Sequence, residues 1–206
     1  MEEKNIIWDF DGTLYDTYPR ILDSFNKIIN GKYNQNIFIN DLLDLILIDT
    51  KYCAKILSEK INVNNTILLN EIRKHYETND EIYEGIFPQA MEFITKENEV
   101  KHFLVTHRER KSTLEKLEKE NIVNYFKKII TKDDNYPEKP DPKSFISIIS
   151  EFNLKTKNTF CIGDRKLDIL AGKNSGIKTI FFNQYEKVNN IADYVINDHD
   201  TLKKIL

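Results

Sequence analysis

The chain of 206 residues has two cysteines, no long apolar run and no excess of basic side chains. Each lack removes a class. Neither Cys53 nor Cys161 has a second Cys or a His at metal-ligand spacing, so a cysteine-based metal site is not read. A reducing compartment suits both thiols, Cys161 inside the apolar run Thr159-Phe160-Cys161-Ile162 and Cys53 in a helical stretch. No apolar stretch is long enough to span a bilayer. The start, Met1-Glu2-Glu3-Lys4, lacks the charged-then-apolar layout of a signal peptide. The expectation is a cytoplasmic protein with no membrane partner. Net charge is −3, so nothing argues for nucleic acid as a partner. No internal repeat and no low-complexity linker interrupts the chain. What is present is ordinary for a globular protein: 40% hydrophobic and 31% charged residues. The length suits one core domain carrying a modest insertion.

One short run stands out: Ile6-Ile7-Trp8-Asp9-Phe10-Asp11-Gly12-Thr13-Leu14. Its apolar part predicts a buried strand. Residues two apart in an extended chain point the same way, so Asp9 and Asp11 share a side and Phe10 faces away. Gly12 then permits a sharp turn. Two carboxylates held that close need a cation or a proton between them if they are buried. Alone, the run also reads as a strand end with a solvated Asp-Gly turn.

From Asp16 to about Glu84 the periodicity is helical. Apolar groups recur at Ile21–Ile29, Leu42–Leu47, Tyr52–Ile61 and Ile67–Tyr76, punctuated by Gly31 and Asn-rich segments. Four helices there would make a small bundle. From Gly85 onward strand and helix patterns alternate. Strands are expected at His102–Thr106, Lys128–Thr131, Thr159–Gly163, Thr179–Phe182 and Asp193–Ile196. Helices are expected at Pro88–Asn98, Arg110–Asn121, Pro142–Phe152 and Lys166–Ser175, with a terminal helix from Asp200. This alternation predicts an α/β fold, a Rossmann-like parallel-sheet core with helices on both faces. The core comprises residues 1–15 and 86–206, and an all-helical domain of residues 16–85 is inserted after the first strand.

Parallel α/β sheets place ligands at the C-terminal ends of their strands. Four such positions carry polar groups here: Asp9, Asp11 and Thr13; Thr106-His107-Arg108; Glu138-Lys139-Pro140-Asp141-Pro142; and Gly163-Asp164, with Asp168 four residues on. Asp9, Asp11 and Asp164 offer the hard oxygens that Mg²⁺ prefers. A hydroxyl and a lysine would hold a phosphate. One carboxylate can attack phosphorus, and a second can protonate the leaving oxygen and then activate water.

With these motifs in this order, the chain resembles the phosphohydrolases of the haloacid dehalogenase superfamily. The resemblance rests on Asp9-Phe10-Asp11-Gly12-Thr13, Thr106, Lys139-Pro140 and Gly163-Asp164 with Asp168. It implies Asp9 as nucleophile, Asp11 as general acid and base, and Thr106 and Lys139 as phosphate ligands. It places Mg²⁺ on Asp9, the backbone carbonyl of Asp11, and Asp164, with Asp168 and Thr13 supporting. The helical insertion resembles the cap of the phosphoglycolate-phosphatase and β-phosphoglucomutase branch. Dehalogenases and phosphonate-cleaving members lack the second aspartate, so Asp11 favours phosphate-ester chemistry. The implied activity is Mg²⁺-dependent hydrolysis of a small phosphorylated metabolite by a monomer. A phosphomutase using the same aspartyl-phosphate, and a non-catalytic metabolite-binding protein, are the rivals.

Relatives often carry asparagine where His107 stands. His107 either bonds the nucleophile loop or substrate, or only orders its own loop. Arg108 either adds positive potential to the site or points to solvent. Arg165 is read as solvent-facing, His75 as part of a solvated basic face with Arg73 and Lys74, and His102 and His199 as incidental. Asp49-Thr50-Lys51-Tyr52 is read as a loop between two cap helices, from which Lys51 either meets a second anionic group on the substrate or, as is commoner for a loop lysine, faces solvent.

Overall fold

The computed structural model describes residues 3–79, 81–185 and 191–206. The chain forms two compact units, Thr17–Gly85 and Met1–Asp16 with Ile86–Leu206.

The first of these is helical: α1 (Tyr18–Asn26), α2 (Ile39–Ile48), α3 (Thr50–Lys60) and α4 (Asn65–Thr78). α1 packs against α2 and α4, and α3 against the same two. Phe25, Ile29, Leu42, Ile46, Leu57, Leu68 and Ile72 are buried, which matches the three- and four-residue spacing of the apolar positions. Gly31 does not punctuate. It lies inside a π-helical turn, Lys27–Lys32, that prolongs α1. The chain reverses after it, at Asn34 (φ 51°), where Asn30 clamps Ile37 through both amide atoms at 2.8 and 3.0 Å. The expected loop around Lys51 is absent. Asp49 alone separates α2 from α3, and its carboxylate caps α3 by accepting from the Tyr52 amide at 2.9 Å. Lys51 therefore sits in the first turn of a helix, exposed. Arg73 and Lys74 face solvent, but His75 is half-buried with Nδ1 3.2 Å from Ser24 Oγ. Tyr76 donates to both oxygens of Glu84, at 2.6 and 2.7 Å, and Arg20 Nε donates to the Tyr76 carbonyl at 2.8 Å.

In the second unit the described residues form one six-stranded sheet: β1 (Lys4–Trp8), β2 (Val100–Val105), β3 (Phe126–Ile130), β4 (Thr159–Gly163), β5 (Lys178–Phe182) and β6 (Tyr194–Ile196). All neighbours are parallel, in the order β3-β2-β1-β4-β5-β6. β3 starts two residues before the expected Lys128. As an edge strand it carries an exposed lysine, Lys127, which masks its apolar signal.

Successive residues of β1 serve opposite faces. Ile6 and Trp8 join Phe160 and Ile162 beneath α5 (Pro88–Lys96) and α6 (Arg110–Lys119), which contribute Phe93 and Leu117. Ile7 joins Phe103 and Cys161 beneath α7 (Lys143–Glu151) and α8 (Lys166–Asn174), which contribute Phe145, Ile148 and Ala171. Burying each such side chain is worth roughly 1.5–3 kcal/mol, so the central strand anchors this unit. The C-terminal segment is a 3₁₀ turn, His199–Thr201, followed by the short α9 (Leu202–Ile205), whose Leu202 enters the core. The chain builds β2 and β3 on one side of β1 and β4 on the other. The strand order reverses at β1 and β4, and this opens a crevice at their C-terminal ends.

Candidate active site

The crevice begins where β1 stops. The Asp9 amide still donates to Ile162 of β4, at 2.9 Å, so Asp9 is fixed to the sheet. The next residues fold tightly. The Phe10 carbonyl accepts from Leu14 and Tyr15 at 3.0 and 2.9 Å, and Gly12 takes φ 77°, which a side chain would oppose. Phe10 turns into the core and stacks on Tyr15, centroids 4.4 Å apart.

Asp9, Lys139 and Asp168 form a buried triple. Lys139 Nζ lies 2.5 Å from Asp9 Oδ1, 2.6 Å from Asp168 Oδ1 and 3.1 Å from the Val105 carbonyl. The other Asp9 oxygen, Oδ2, is buried with no hydrogen-bond partner. Burial and then the Asp168 charge push the Asp9 carboxyl up to about 7, against the pull of Lys139. Burial opposes the Lys139 charge, but Asp168 and Asp9 outweigh it and raise its pKa. Burial also works against the Asp168 carboxylate, and Lys139 and Arg165 overcome it, holding its pKa below the usual value. Gly163 permits this packing, since a Cβ there would stand 2.3 Å from that of Asp168.

Carboxylate oxygens of Asp9, Asp164 and Asp168 lie within 4.8 Å of one another. Asp164 is oriented by Thr13, whose hydroxyl donates to it at 3.0 Å. The Asp11 carboxylate points elsewhere: Arg108 Nη1 donates to it at 2.7 Å. Thr106 is buried at the end of β2, and its hydroxyl accepts from the Arg108 amide at 3.0 Å. His107 Nε2 accepts from the Lys139 amide at 2.8 Å, so its proton is on Nδ1. Burial, with the Lys139 and Arg165 charges, lowers its pKa to about 4 and keeps that acceptor free of protons. His107 thus ties the end of β2 to the lysine loop. A cavity of about 440 Å³ opens between β2 and β3, lined by Thr106, His107, Thr131, Tyr136, Glu138 and Lys139. Lys139, Asp164 and Asp168 therefore gather at Asp9, Thr13 holds Asp164, and Thr106 and His107 line the cavity beside Lys139, all within one unit, whereas Lys51 belongs to the helical unit.

Three groups read as peripheral come into the site or beneath it. Arg165 is half-buried, and its charge acts on Asp9, Lys139 and Asp168. His199 Nε2 donates to the Thr13 carbonyl at 2.9 Å and packs on Phe182. His102 Nδ1 accepts from Trp8 Nε1 at 3.1 Å, beneath the strand that carries Asp9. Arg165 follows the motif residue Asp164 directly, whereas His102 and His199 lie outside the motifs and reach the site's underside through the sheet register and the return of the C-terminus. Tyr185, after β5, is a further neighbour: burial and the charges of Asp16 and Asp164 raise its pKa.

The sequence profile of the haloacid dehalogenase-like hydrolases matches residues 6–182. The chain belongs to that family. As a haloacid dehalogenase-like hydrolase it is 28% identical over 183 residues to pyrophosphatase PpaX of Bacillus mycoides (strain KBAB4), covering 87% of this chain and 83% of the relative. Its fold matches a protein designated a phosphoglycolate phosphatase from Haemophilus somnus 129pt, with TM-score 0.80, 18% identity and coverage of 100% and 98%. It also matches the HAD-hydrolase YfnB of Bacillus subtilis, solved with magnesium bound, with TM-score 0.74, 17% identity and coverage of 100% and 99%. Among the described residues no helix is long and apolar enough to cross a membrane.

Proposed function

We propose that this hydrolase is a Mg²⁺-dependent phosphatase that cleaves a small phosphorylated metabolite through an aspartyl-phosphate on Asp9. One observation carries the reading. Asp9 is buried, one of its oxygens is held by Lys139, and the other has no hydrogen-bond partner. An unpartnered buried carboxylate oxygen costs free energy unless a cation or substrate completes it. The trio Asp9, Asp164 and Asp168 supplies hard oxygens of the kind Mg²⁺ takes. Asp9, Asp164 and the Asp11 carbonyl would hold the ion, with Asp168 and Thr13 behind them. When bound, it neutralises charge on the phosphoryl group.

The Asp9 carboxylate attacks phosphorus as the bond to the leaving oxygen breaks, and Asp11 gives that oxygen a proton. Lys139 and Thr106 hold the phosphoryl oxygens, and His107 keeps the lysine loop in place. Water then attacks phosphorus, its proton returns to Asp11, and the bond to Asp9 breaks to release phosphate. The helical unit acts as the cap that admits substrate and excludes water. The phosphatase names of the relatives support a small phosphorylated substrate, and the two buried free thiols suit a reducing compartment such as the cytoplasm. Phosphate release from a panel of phosphorylated metabolites and one aryl phosphate tests this. Turnover is expected with Mg²⁺ and should fall about 10⁴-fold or more with EDTA or in Asp9→Asn. An Asp9→Asn protein that still turns over refutes the mechanism.

A further inference from the structure

Arg108 holds the general acid. Its Nη1 donates to Asp11 Oδ1 at 2.7 Å, its Nε to Ser112 Oγ at 3.1 Å, and its guanidinium carbon sits 5.4 Å from the centroid of the Phe10 ring. Its own amide donates to the Thr106 hydroxyl at 3.0 Å, so backbone and side chain are both fixed at the site. The side chain is only 12% exposed. Arginine keeps its charge at any working pH, and its planar fork matches carboxylate and phosphate oxygens.

The geometry assigns Arg108 a role in choosing substrate: we propose that it binds an anionic group on the leaving-group side, so that the favoured substrates carry a second phosphate or a carboxylate next to the scissile bond. The step rests on the reading of Asp11 as proton donor. Asp11 must contact the leaving oxygen to protonate it. A guanidinium nitrogen one hydrogen bond from that carboxylate then lies beside the next atoms of the leaving group. A neutral alkyl or aryl group there gives Arg108 nothing to bind, whereas a phosphate or carboxylate meets a preorganised, partly desolvated cation.

Calorimetric binding of methylenediphosphonate and methylphosphonate, with Mg²⁺ in excess, tests the assignment without any turnover. The wild type should bind the diphosphonate about 10- to 100-fold more tightly than the monophosphonate, and Arg108→Gln should bring the two within about threefold. If Arg108 only positions Asp11, the substitution moves both affinities alike, and the proposal falls. It falls equally if the wild type shows no preference, or if Arg108→Gln retains it. Should the glutamine variant not fold, Arg108→Lys replaces it. A preference reduced about threefold or more then supports the proposal, and an unchanged one overturns it. A chain with the Arg108-dependent preference but no phosphate release would refute the phosphatase reading and leave this one standing.

Discussion

The two units each bury a carboxylate against a cation, and they use its oxygens differently. In the helical unit Tyr76 donates to both oxygens of Glu84, and Arg20 stands 3.8 Å away. In the sheet unit Lys139 binds Asp9 and Asp168, yet Asp9 Oδ2 has no partner. The first cluster is completed by the chain and ties α1 to α4 and the segment before Gly85. The second leaves one carboxylate oxygen without a partner among the described residues. A buried polar atom left open marks the place where a fold gives up stability to keep a reactive group available.

The largest effect is expected at Lys139. Lys139→Met leaves Asp9 and Asp168 buried without their cation, and should cost about 3–5 kcal/mol in urea unfolding at neutral pH. Adding Asp9→Asn should recover a good part of that loss, because the two sites are coupled. Tyr76→Phe removes the one hydroxyl that both Glu84 oxygens share and should cost about 1–3 kcal/mol, read in the same experiment. If it costs as much as Lys139→Met, the two clusters do not differ as described.

Acid should weaken the sheet unit through its two core histidines. Burial lowers the pKa of both His102 and His199 to about 4, from an ordinary 6.5. The unfolded chain therefore takes up a proton below pH 6.5 that the folded chain refuses until about 4. Stability is full above 6.5 and is lost as pH falls toward 4, by roughly 3 kcal/mol for each ring. Urea midpoints between pH 7 and 4.5 should show this decline, and His102→Phe should flatten its share of it. The smallest effect concerns Lys51. We expect Lys51→Ala to raise KM for the natural substrate about tenfold and to change that for an aryl phosphate less than about twofold. Equal effects on both would remove Lys51 from substrate recognition.

Much of this was legible residue by residue. β4 spans Thr159–Gly163 in both reading and structure, because a central parallel strand is apolar on both faces and ends at a motif. β3 was read short because Lys127 is an edge residue. Asp49 looked like part of a loop because one capping residue replaces the several residues a loop would use. Asp9, Thr106, Lys139 and Asp164 were legible because each closes an apolar run or opens a motif. The parts of Arg165 and His199 were not: Arg165 follows Asp164 but nothing local fixes which way its side chain turns, and His199 lies far along the chain from Thr13.

The sequence by itself determined most of the elements, the parallel sheet and the polar residues at the strand ends, because apolar period and turn chemistry are local properties of the chain. Only the tertiary structure decided their pairings. The Lys139 amine fell between Asp9 and Asp168, Arg108 on Asp11, His107 on the lysine loop and His199 beneath Thr13. Those contacts join residues up to 186 positions apart, and they depend on strand order and register, which no local pattern encodes.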